Sequence, residues 1–153
     1  MAELVIAGFE GNKIIPSADA KIITLMFPTY SPTDGSETSC FDCNTGSVYS
    51  VPVGKKWIML NYFCYVSQST SAVQIIIRRG TTQDSATGAT NLIINRADDD
   101  AQPNRFGANV CIEVPASNYL TIGLNGTGSD GFAGFTAVGV EIDAWFRIFW
   151  FRR

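Results

Sequence analysis

No histidine occurs anywhere in the 153 residues. That removes the Ser-His-Asp and Cys-His nucleophile systems, the commonest general base near neutral pH and the commonest metal ligand. Charge is scarce too. Asp, Glu, Lys and Arg make up 16% of the chain, against roughly 25% in an average soluble domain. A lone compact particle normally spreads more charge than this over its surface, although Ser, Thr and Asn also cover β surfaces. Part of this surface is therefore expected to face another protein. The 11 basic residues are outnumbered by 14 acidic ones, for a net charge of −3. They are scattered except at Lys55-Lys56, Arg78-Arg79 and Arg152-Arg153, which read as solvated strand ends. Binding nucleic acid takes a basic stripe that displaces counterions from phosphate, so no nucleic-acid partner is expected. No apolar run approaches the roughly 18 residues needed to span a bilayer, so no membrane partner is expected. The opening Met1-Ala2-Glu3-Leu4-Val5-Ile6 lacks the basic start and small-residue cleavage site of a secretory signal. The expectation is synthesis in a cytosol.

What the chain does have is strand-forming sequence. Helical periodicity is almost absent, and runs of Val, Ile, Phe, Tyr and Trp alternate with clusters of Gly, Pro, Asn, Asp and Ser. Strands are predicted near 3–8, 21–27, 46–52, 56–67, 71–79, 91–95, 108–115, 118–125 and 135–150. That count, in a chain of single-domain length, implies an all-β fold, an antiparallel β-sandwich of jelly-roll type. Val51-Pro52-Val53-Gly54 and Pro115-Ala116-Ser117-Asn118 carry corner chemistry, and 125–131 is glycine-rich. Residues 28–45 have linker composition. The chain therefore divides into an N-terminal arm and linker over 1–45 and a sandwich domain over 46–153. The arm adds a strand either to its own sandwich or to a neighbour's. Residues 81–89, 97–107 and 125–134 read as surface loops.

Two segments are too apolar for a strand with one wet face. Along Trp57-Ile58-Met59-Leu60-Asn61-Tyr62-Phe63-Cys64-Tyr65-Val66, strict alternation puts Trp57, Met59, Asn61, Phe63 and Tyr65 on one side. Ile58, Leu60, Tyr62, Cys64 and Val66 fall on the other, and both sides need cover. The C-terminal run from Trp145 to Phe151 is denser still in aromatics and would be an aggregation hazard if bare. Trp57, Phe63, Tyr65, Trp145, Phe149 and Trp150 are the candidate core or interface anchors, because large aromatics dominate both settings.

Arrangements that carry chemistry are few. Cys40-Phe41-Asp42-Cys43 has the CxxC spacing, but no βαβ unit or second closely spaced pair accompanies it. Zinc, a disulfide and plain reduced thiols all remain open, with thiols the simplest. Cys64 reads as a small buried hydrophobe. Asp98-Asp99-Asp100 with Asn104 offers oxygen ligands without the spacing of a calcium loop, and reads as a solvated acidic turn. Glu141 and Asp143 lie two apart on one strand face, yet no opposing acid completes a glycoside-hydrolysing pair. Neither a catalytic residue, a metal nor a cofactor is expected.

The stretch Ser47-Val48-Tyr49-Ser50-Val51-Pro52-Val53-Gly54-Lys55-Lys56-Trp57 runs a short strand through a corner into a long apolar strand. With Val114-Pro115-Ala116-Ser117-Asn118-Tyr119-Leu120-Thr121-Ile122-Gly123-Leu124 and the returning Val138-Gly139-Val140-Glu141-Ile142, it resembles jelly-roll domains of tailed-phage virion proteins over about residues 46–146. Among these it is most similar to capsid decoration, or cement, proteins. The resemblance implies a non-enzymatic virion structural protein, a homotrimer, whose partner is the major capsid protein. Such a protein binds the outer surface of the capsid and clamps neighbouring subunits. No contact residue is carried over, because the pattern fixes strands only. Two rivals remain. One is a trimeric receptor- or carbohydrate-binding tip of a tail fibre or spike, presenting Phe106, Phe132 and Phe135 in its loops. The other is a glycan hydrolase or lyase using Glu141 and Asp143.

Overall fold

A computed structural model of the chain describes residues 4–5, 13–14, 20–30, 37–67, 73–97, 104–126 and 132–145. Every regular element among them is a strand: β1 (Leu4–Val5), β2 (Lys13–Ile14), β3 (Lys21–Tyr30), β4 (Glu37–Ser39), β5 (Phe41–Asp42), β6 (Lys55–Ser67), β7 (Val73–Gly80), β8 (Thr90–Ala97), β9 (Asn104–Val114), β10 (Tyr119–Gly126) and β11 (Phe132–Asp143). β1 and β2 pair with each other. The rest form a four-stranded sheet in the order β4-β10-β7-β8 and a five-stranded sheet in the order β5-β3-β11-β6-β9, antiparallel throughout. From β6 onward the chain crosses between the sheets, with β6, β9 and β11 in one and β7, β8 and β10 in the other. This wrapped, antiparallel two-sheet arrangement is a jelly-roll sandwich.

Side chains from the two inner faces make one core. Ile23, Leu25 and Phe27 of β3, Trp57 and Met59 of β6 and Phe135 and Ala137 of β11 meet Ile75 and Ile77 of β7 and Leu120, Ile122 and Leu124 of β10. Alternation along β3 explains its membership: the odd positions from Ile23 to Phe27 are buried, while Ile22 and Met26 point outward. The sheets thus take in residues 21–30 and 37–42 from the segment expected to be arm and linker, and β3 joins its own sandwich. The linker-like composition hid β4 and β5, which are only three and two residues long.

The corners form as their residues require. Lys55 N–H donates to the Pro52 carbonyl at 3.1 Å across a turn with Gly54 at φ 79°, a left-handed conformation that costs glycine nothing. The second corner adopts the same region without glycine, at Ser117 (φ 59°), and is tied to the first. Ser117 N–H donates to the Val51 carbonyl at 2.7 Å, and Val51 N–H donates to the Asn118 carbonyl at 3.0 Å. Residues 46–52, expected as a strand, supply only isolated bridges, Val48 to Phe41 and Ser50 to Tyr119. β9 begins at Asn104, inside a stretch expected to be loop, and β11 ends at Asp143 with Ala144 and Trp145 in a turn.

The largest departure from simple alternation lies in β6. Against β11, Val138 pairs with Asn61 and Gly139 with Met59, so Leu60 is an extra residue. This β-bulge changes which parity faces inward. Trp57 and Met59 enter the core before it; Tyr62, Cys64 and Val66 enter after it. The face assignment expected from unbroken alternation is therefore wrong beyond Leu60. Much of the two-sided apolar character disappears with it, since both halves of the strand feed a single core.

Candidate interaction surfaces

The outward side of the five-stranded sheet is built on its three central strands, β3, β11 and β6. Register fixes the neighbours: Ile22, Val140 and Ile58 form one cross-strand row, Thr24, Val138 and Asn61 the next, and Met26, Thr136 and Phe63 the third. None of the nine side chains carries a charge. Two members of the first row are covered locally: Ile58 and Val140 pack with Ile142 against Ala20 and Leu60 in a second small cluster. The remainder is open, with Ile22 at 56% exposure and Phe63 at 47%, and with Met26 and Val138 also exposed. Beyond the third row, the Tyr65 ring lies across Gly134, its direct partner on β11, where a Cβ would collide with it. Charges border this block. At the β9 side, Lys56 Nζ and Glu113 Oε2 pair at 3.2 Å. Arg105, opposite Tyr65, is exposed.

A second apolar prominence sits where the Val53-Gly54 corner meets the end of β11. Ala144 N–H donates to the Gly54 carbonyl at 2.8 Å, which places the corner beside the Ala144–Trp145 turn. Val53 is 87% exposed and Trp145 76%. Lys55 Nζ and Asp143 Oδ1, paired at 2.7 Å, anchor the base of this end.

The candidate anchors thus part company. Trp57 is fully buried and belongs to the core, not to an interface. Its ring lies over Gly139, where a Cβ would strike both the indole and the Ile58 carbonyl. Phe63 and Tyr65 lie together on the outward face, Phe63 exposed and Tyr65 half-buried. Trp145 stands at the separate prominence, while Phe149 and Trp150 lie outside the described residues. Ile22, Met26, Val138 and Val53 were missed. Exposed apolar positions on a strand become visible only once its inward parity is known, although Val53 between Pro52 and Gly54 is a turn-tip position legible from sequence.

The residues considered for chemistry have structural partners. Tyr49 Oη donates to Glu141 Oε2 at 2.6 Å, and burial, then the Glu141 carboxylate, push the phenol well above its ordinary range. Asp143 pairs with Lys55, so the two carboxylates serve different partners. All four cysteines are free; Cys40 and Cys64 are buried, Cys43 and Cys111 exposed. Burial raises the Cys40 thiol strongly and the Cys64 thiol to about 11, the latter against a hydrogen bond from Asn95 Nδ2 at 3.4 Å. Among the described residues no three His, Cys, Asp or Glu side chains gather as a metal site. Residues 98–100 lie outside the described residues, so the acidic turn is not placed. Phe106 and Phe135, assigned to loops for a glycan-binding tip, are strand residues instead. Phe106 packs against the core, and Phe135 is buried with its ring stacked on Tyr62 at 6.4 Å between centroids. Phe132 is the first residue of β11.

The chain is therefore a jelly-roll sandwich whose described residues cluster exposed apolar side chains on the five-stranded sheet and at one end, with Ile94 exposed singly on the other sheet. No known protein family matches it, and no curated protein matches its sequence. Among solved structures it is similar to the Eiger TNF of S. frugiperda, at 11% identity and a TM-score of 0.44, covering 86% of this chain and 98% of that one. It is also similar to a chain of infectious bursal disease virus, Gt strain, at 13% identity and a TM-score of 0.36. That match takes in 92% of this chain but only 38% of the viral one.

Proposed function

We propose that this protein is a non-enzymatic virion structural protein that binds the outer surface of a phage capsid and clamps neighbouring capsid subunits, acting as a homotrimer. One observation carries the reading: apart from the lone Ile94 on β8, the exposed large apolar side chains among the described residues gather at two separate places, the outward face of the five-stranded sheet and the Val53–Trp145 end. A clamp needs two surfaces, one for copies of itself and one for what it grips. Each contact contributes about 25 cal/mol per Å² of apolar area removed from water, and joining several through an oligomer multiplies them by effective concentration. The sequence pattern of residues 46–146 supports the same reading. No observation favours a receptor tip, because the aromatics it would present, Phe106 and Phe135, face inward.

The test is co-sedimentation of the purified protein with empty, expanded phage capsids lacking their decoration protein. Saturable binding that raises the temperature at which the shells break is expected. Val53→Ser with Trp145→Ser should weaken binding at least tenfold, a loss of about 1.4 kcal/mol or more. Absence of binding to any capsid, together with tight binding on a glycan array, would replace this reading with receptor recognition.

A further inference from the structure

We infer that the open edge of β9 pairs with β9 of a second copy of this chain, antiparallel about Asn109, so that two five-stranded sheets become one. The inference goes beyond the capsid reading and does not depend on it. Its two-fold contact uses neither the outward sheet face nor the Val53–Trp145 end.

The edges of the two large sheets are β4, β8, β5 and β9, and they differ. β4 and β5 are three and two residues long, too short to template another strand. β8 is eight residues long and carries the exposed Arg96. β9 runs for 11 residues, Asn104–Val114, and among the described strands it pairs with β6 alone. Between Arg105 and Glu113 it reads Phe106-Gly107-Ala108-Asn109-Val110-Cys111-Ile112, without a charge or a proline. Those are the usual guards of an edge, and both are missing here. A bulge is a third guard, and the β6–β9 register does shift opposite Leu60. β9 nevertheless keeps its own alternation through the shift. Phe106, Val110 and Ile112 pack against the core and Val114 is buried in it, while Arg105, Gly107, Asn109, Cys111 and Glu113 are exposed. Arg79 Nη1 donates to the Glu113 carbonyl, which ends the open edge there.

Charge identifies the occupant and the register. Asn109 stands midway between Arg105 and Glu113. A two-fold axis through it sets each Arg105 opposite the other copy's Glu113, so a single arrangement makes both ion pairs. Each Arg105 then joins Lys56, whose Nζ already meets the Glu113 carboxylate at 3.2 Å. The same axis sets Gly107 opposite Cys111 on the outward face. On the inward face it sets Phe106 opposite Ile112 and Ala108 opposite Val110, apolar pairs that continue the core. Neighbouring two-fold registers lose the match: centred on Ala108, Arg105 meets Cys111, and centred on Val110 it meets Pro115. An unrelated strand would have to reproduce this order of charges, whereas every copy of this chain carries it, so the contact closes on itself. Backbone hydrogen bonds supply the affinity, at about 0.5–1.5 kcal/mol net each.

The experiment is sedimentation equilibrium on the full chain from low micromolar to several hundred micromolar, with circular dichroism as a check on folding. Wild-type protein is expected to self-associate. Arg105→Glu and Glu113→Arg, each alone, oppose like charges at both ends of the ladder and should weaken association about tenfold or more. An equimolar mixture of the two variants regains both ion pairs and should associate as tightly as the wild type. Wild-type protein monomeric throughout overturns the inference. So do reversals without effect, or a mixture that associates no better than its components. If either variant fails to fold, Asn109→Cys with Cys43→Ser and Cys111→Ser decides. Oxidised glutathione should link two copies through position 109; linkage no faster than through Thr87→Cys, in an exposed loop, overturns the inference. Capsid binding by a wild type whose self-association ignores the reversals overturns it while sustaining the virion reading. Reversal-sensitive pairing without capsid binding does the opposite.

Discussion

At position 139 one hydrogen atom decides whether the Trp57 indole can lie flat over β11. Gly139→Ala drives a methyl into the ring and the Ile58 carbonyl, and urea unfolding should show a loss of about 1–3 kcal/mol from overpacking. Trp57→Ala at the same contact should cost about 3–5 kcal/mol, as fully buried large side chains do. Tyr49 gives a pH signature. Its phenol donates to Glu141, and ionising it within the fold is disfavoured, so its folded pKa is raised. The unfolded phenol titrates near 10. The stability it contributes is therefore complete below about pH 10 and is lost as pH rises beyond that. Urea midpoints between pH 8 and 11 should fall for the wild type and fall less for Tyr49→Phe. The thiols divide similarly. A chromogenic disulfide reagent should modify Cys43 and Cys111 in the folded protein, and Cys40 and Cys64 only on unfolding.

β6 shows where one-dimensional reading stops. Its existence follows from composition, and its length was placed to within a residue, because aromatic and β-branched side chains from Trp57 to Val66 suit a pleated surface. The extra residue at Leu60 was not legible, since a bulge is defined by the partner strand and no local residue announces it. One missed residue put Tyr62, Cys64 and Val66, which strict alternation sets opposite Trp57 and Met59, into the same core as those two. It also concealed that Trp57 and Phe63, assigned to one side, lie on opposite sides of the sheet. β4 and β5 went unseen for a different reason: strands of three and two residues carry no period, and pairing alone makes them strands. Deleting Leu60 should remove the parity change and abolish cooperative unfolding. Leu60→Ala, which keeps the backbone count and trims only the outer cluster, should cost about 1–2 kcal/mol by the same denaturation assay.

For the whole molecule, the low charge content that first suggested a buried surface has a counterpart in one uncharged sheet face and one apolar end. The jelly-roll class could be read from strand count and corners. The location of open surface could not, because it depends on which of two apolar parities each strand turns inward. An association driven by that face has a thermodynamic character of its own. With no ion pairs at its centre, raising sodium chloride from 50 to 500 mM should leave its strength unchanged or slightly greater, where a charge-steered contact would loosen. Its driving force would come chiefly from water released from hydrocarbon, which fades on cooling. Chilled samples should accordingly come apart before warm ones do, so refrigeration, the usual way of preserving a protein assembly, would be the treatment that takes this one to pieces.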